Sequence, residues 1–85
     1  MKNIPTDLNK QISINFTWNG NDLLAGKILV AKYFYNGVRP KNDPNIYKVT
    51  SPIKGIKPDL GSFKTEEEAE KRCYQVASAF IKMLQ

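Results

Sequence analysis

Few side chains in this 85-residue chain are suited to covalent or metal chemistry. There is no histidine, and Cys73 is the single cysteine. That excludes the usual zinc ligand sets, which need several nitrogen or sulfur donors. It also excludes Ser-His-Asp and Cys-His nucleophiles, and one cysteine cannot close an intrachain disulfide. Glu66, Glu67, Glu68 and Glu70 form an acidic cluster, but carboxylates at a helix start compensate its dipole. Nothing there opposes two pKa values as acid–base catalysis requires. The chain is therefore expected to be non-enzymatic, with no cofactor and no metal. What it carries in quantity is positive charge: 13 Lys+Arg against 8 Asp+Glu, a formal net charge of +5.

That charge is unevenly distributed. Residues 1–26 balance Lys2 and Lys10 against Asp7 and Asp22. Residues 27–64 set eight basic groups against Asp43 and Asp59, an excess of six. Residues 65–85 set three basic groups against four glutamates. A cationic middle segment is suited to phosphate backbones, and an exposed aromatic such as Phe34 could stack on a base or sugar.

The elements that position these groups follow from periodicity. Residues 1–10 are polar, contain Pro5 and read as a flexible arm ahead of a single domain over 11–85. Ile12 to Trp18 alternate apolar and polar, the period of a half-buried strand. Asn19-Gly20 marks a hairpin turn, with 21–26 expected as a longer connection. Lys27 to Tyr35 is rich in β-branched and aromatic residues and reads as a second strand. Pro40 and Pro44 make 36–44 a loop, Asn45 to Ser51 is a third strand, 53–58 a second loop, and Leu60 to Lys64 a short fourth strand. Thr65 with Glu68 three residues on forms a capping box. Ala69, Cys73, Val76, Ala77, Phe80, Ile81 and Leu84 then recur at helical spacing. Glu68–Arg72 is an i,i+4 pair in the favourable order. The fold class is α+β: a three- to four-stranded antiparallel sheet in β-β-β-β-α order, with one C-terminal helix packed on one face.

A single helix covers one face of such a sheet. Unpaired lysines cannot be buried cheaply, so Lys32, Lys48 and Lys64 must mark the open side. In the second strand this sends Leu29, Ala31 and Tyr33 under the helix and turns Val30, Lys32 and Phe34 outward. The outward face then holds Lys32, Phe34, Lys48, Thr50 and Lys64, with Arg39, Lys41, Lys54 and Lys57 on adjoining loops. These nine residues are the candidate nucleic-acid contacts, DNA being preferred to RNA, acting by charge neutralisation with counterion release. The assignment requires that no bulge shift a strand by one residue. The alternative is a protein–protein module or a homodimer meeting through Ile28, Val30, Phe34 and Ile46, as in a small phage-type accessory or inhibitor protein. No apolar run reaches the length of a membrane span and the N-terminus lacks a signal-peptide core, so a cytoplasmic location is expected.

The string LGSFKTEEEAEKRCYQVASAFI, residues 60–81, resembles the LGxFxTxEEA pattern of plant ethylene-response-factor (Apetala-type) DNA-binding domains. The arm-binding domains of phage-type tyrosine integrases share a looser form of it. Tyr35-Asn36-Gly37-Val38-Arg39 is similar to the YxGVR opening of the same family. The resemblance covers residues 33–81. It implies a three-stranded antiparallel sheet laid into the DNA major groove with a helix packed behind. Lys32, Lys48, Thr50 and Lys64 stand where the family uses mostly arginine and tryptophan.

Overall fold

Two glycines set up the first half of the sheet. Gly20 and Gly26 both have φ of +62°, a conformation that costs glycine nothing and other residues a steric penalty. Each opens a two-residue hairpin loop of the kind that has glycine at its first central position. The computed structural model describes residues 4, 5, 8, 15–38 and 40–84. In it β1 (Phe16–Asn19), β2 (Asp22–Ala25) and β3 (Ile28–Tyr35) form consecutive hairpins. β4 (Tyr47–Thr50) and β5 (Asp59–Phe63) complete a five-stranded antiparallel meander in the order β1-β2-β3-β4-β5. One helix, α1 (Glu66–Leu84), packs on β3, β4 and β5.

The α+β class and the helix on one face are as expected, with one strand more. Residues 22–25, anticipated as part of a connection, are β2, because the second glycine turn brings the chain straight back. Ile12 and Ile14 lie outside the described residues. The flexible arm expected over 1–10 also falls largely outside them; of the residues described there, Leu8 is buried in the core and Ile4 packs against it.

Helix α1 starts as its sequence dictates. Thr65 Oγ1 accepts from the Glu68 backbone N–H at 3.2 Å and its hydroxyl donates to Glu68 Oε1 at 3.2 Å. Thr65→Ala is expected to lower stability by about 1 kcal/mol, measurable as a shift in urea midpoint with an unchanged slope. The buried stripe is Ala69, Cys73, Val76, Ala77, Phe80 and Ile81. Leu84, the last residue of that periodicity, is exposed at the end of the helix. Arg72 does not stay with Glu68: its Nε donates to the Leu60 carbonyl at 3.2 Å and a terminal nitrogen to Gln75 Oε1 at 2.7 Å. The guanidinium thus ties the helix to the edge strand.

Opposite the stripe lie Phe16, Leu23, Ala25, Ala31, Tyr33 and Val49, all buried. An aromatic and polar cluster locks the interface. Trp18 Nε1 donates to Tyr74 Oη at 3.0 Å, and Tyr33 Oη donates to Glu70 Oε2 at 2.9 Å. The Tyr33 ring meets Trp18 and Tyr47 edge-on. Tyr33 is buried as expected and Tyr47 packs against the core, whereas Tyr35, the last residue of β3, is 62% exposed. Ile53 and Ile56, in the loop 51–58, are partly buried against the core.

Two bulges correct the facing of individual residues. Leu23 pairs with Ala31 and Leu24 with Leu29, so Val30 is an extra residue in β3. Val30 is therefore fully buried, not outward, and Leu29 moves to the outer side, where it is half-buried. Extending the β3–β4 register places Pro52 opposite Val30. Proline has no N–H to offer a ladder, and the Ser51 hydroxyl supplies the missing donor, bonding the Val30 carbonyl at 2.7 Å. A second extra residue lies in β5, where Lys48 pairs with Ser62 and Thr50 with Asp59.

Candidate interaction face

The outer side of the sheet is built in cross-strand rows. The pairings Asn19↔Asp22, Asp22↔Lys32, Lys32↔Thr50 and Thr50↔Asp59 make one continuous row across all five strands. Phe34↔Lys48↔Ser62 is a second row on one side of it, and Thr17↔Leu24↔Leu29 a third on the other. Four of the predicted contact residues, Lys32, Phe34, Lys48 and Thr50, are thereby brought into one block of directly paired neighbours. Lys32 is exposed and Phe34 is 38% exposed. No described element covers this face, because α1 lies on the opposite one.

The face is open, and its paired rows carry both signs of charge. Asp22 was expected in a connection. The extra hairpin instead makes it the direct partner of Lys32. Asp59 opens β5, and its Oδ2 lies 3.4 Å from Lys48 Nζ. Two lysines and two aspartates therefore share the paired surface. The Gly61 N–H, bonded to Asp59 Oδ1 at 3.1 Å, holds the Asp59 carboxyl below the usual carboxylate range, and the Lys48 ammonium lowers it further. Because this pKa is depressed, the Lys48–Asp59 bond is complete at neutral pH and is lost only as pH falls through the lowered value. Phe34, Leu24 and Leu29 form the apolar part of the face.

The remaining candidates are scattered. Lys41 lies in the loop 36–46, Lys54 and Lys57 in the loop 51–58 at the other end of the sheet, and Lys64 just beyond β5; all are exposed. Arg39 lies outside the described residues. The carboxylates on the outer face were visible as residues, but their placement was not, since it depends on the second glycine turn and on the β5 bulge. Among the described residues no group of three His, Cys, Asp or Glu could hold a metal ion. No described helix is long and apolar enough to cross a membrane. No family model matches the chain, and neither a curated protein nor a solved structure does.

Proposed function

We propose that this chain is a non-enzymatic protein-docking module whose interface is the outer sheet face, and that the partner this face fits is a second copy of itself. The observation that carries the reading is the balance of Lys32 and Lys48 against Asp22 and Asp59 around Leu24, Leu29 and Phe34. A phosphate backbone laid on these rows would meet carboxylates as often as ammonium groups, and like-charge contacts count against a partner. Isologous dimers require a self-complementary surface, and both signs of charge beside apolar residues supply the groups for one. Five strands at ~4.8 Å spacing span about 20 Å. A contact of that size lies near the lower limit of specific interfaces, about 1,000 Å² in total, and implies a weak, reversible dimer.

Sedimentation equilibrium from micromolar to millimolar chain tests this. A monomer–dimer equilibrium is expected that weakens modestly with added salt as the exposed charges are screened, far less than phosphate binding would. Phe34→Glu should weaken it by about tenfold or more, since a central aromatic contributes well above 1 kcal/mol. A monomer at every concentration, binding duplex DNA with affinity that falls steeply with salt, would replace this reading by the nucleic-acid one.

A further inference from the structure

The cationic excess missing from the outer face lies partly along the other side of β5. Between β5, the loop 51–58 and α1 run two adjacent cavities of about 220 and 230 Å³ that share Arg72 and Gln75 as a common wall. One is lined by Ile56, Leu60, Val76 and Ala79 with Lys57 at its rim; the other by Phe63 with Lys71 at its rim. Glu68 is the one acid among the lining residues. We infer that this groove receives a short extended segment of a partner protein, carrying two apolar side chains flanked by carboxylates. Alternate side chains of an extended segment point the same way about 7 Å apart, which suits two cavities divided by one wall. The apolar lining favours apolar groups, and the two exposed lysines at the rim favour anions beside them. A nucleic-acid backbone satisfies only the second requirement. Arg72 bonds the Leu60 carbonyl on the edge strand and forms part of the wall between the two cavities.

This site is separate from the outer face, and its test is independent of dimer formation. Random heptapeptides displayed on phage are panned against the full-length chain, and the synthetic consensus peptide is titrated into ¹⁵N-labelled chain. The expected consensus has two apolar residues spaced by one, next to Asp or Glu, and amide shifts centred on Ile56, Leu60, Gln75 and Ala79. The double variant Lys57→Glu, Lys71→Glu changes only exposed positions and should keep its circular dichroism spectrum. It should bind the peptide on the order of tenfold more weakly, and Phe34→Glu should bind it unchanged. Three results overturn the inference: no enriched acidic consensus, shifts confined to the outer face, or a double variant that binds equally well. A short DNA duplex producing the same groove shifts more strongly would overturn it in favour of nucleic acid.

Discussion

Val30→Lys is expected to leave the chain largely unfolded at room temperature, whereas Leu29→Lys, one residue away, is expected to fold. Val30 is fully buried in the core cluster and its carbonyl is bonded by Ser51. A lysine there removes an apolar side chain from a packed interior and buries an ammonium with no acid partner, which costs several kcal/mol. Total stabilities of small domains are only about 5–15 kcal/mol, so little would remain. Leu29 pairs with Leu24 on the outer side and is half-buried. Its replacement forfeits roughly 1 kcal/mol of apolar contact, and the ammonium reaches water. Urea unfolding followed by far-ultraviolet circular dichroism separates the two. The reverse ranking, with Val30→Lys tolerated and Leu29→Lys unfolded, would mean that β3 runs without its bulge.

The second large effect is expected in alkali. Burial is the main cause that pushes the Tyr33 phenol far above its ordinary value near 10, and the bond to Glu70 and the negative charges of Glu70 and Glu66 act in the same direction. Tyr74 is also raised, chiefly by burial, although the Trp18 indole N–H opposes it. A folded pKa above the unfolded one means that the stabilisation is complete below about pH 10 and is lost as pH rises toward the folded value. The chain should therefore unfold cooperatively in alkali, with part of its tyrosinate absorbance appearing only in that step. Tyr33→Phe should cost about 1 kcal/mol at neutral pH for the lost hydrogen bond and should make the alkaline decline shallower. If all four tyrosines ionised in one gradual wave in the folded chain, Tyr33 would not be held as described.

Both effects depend on the helix–sheet interface, and much of that interface was readable from residue order. The stripe of α1, its Thr65 cap and the inward placement of Tyr33, Tyr47, Val49 and Phe63 follow from period and from the cost of burying lysine. Lys32, Phe34, Lys48 and Thr50 were correctly grouped for the same reason, since alternation in β3 and β4 puts them on one side. Val30 and Leu29 were exchanged because a bulge leaves no trace in the alternation of so short a strand.

Residue order by itself determined the α+β class, the C-terminal helix and an outer face bearing Lys32 and Lys48, because local periodicity and desolvation act on each segment independently. Tertiary structure alone decided which acids share that face with these lysines. Asp22 is set opposite Lys32 only by the second glycine turn, and Asp59 meets Lys48 only across the β4–β5 pairing. Charge neutralisation depends on distance in space, and these partners are brought together by turns and bulges whose effects accumulate along the chain.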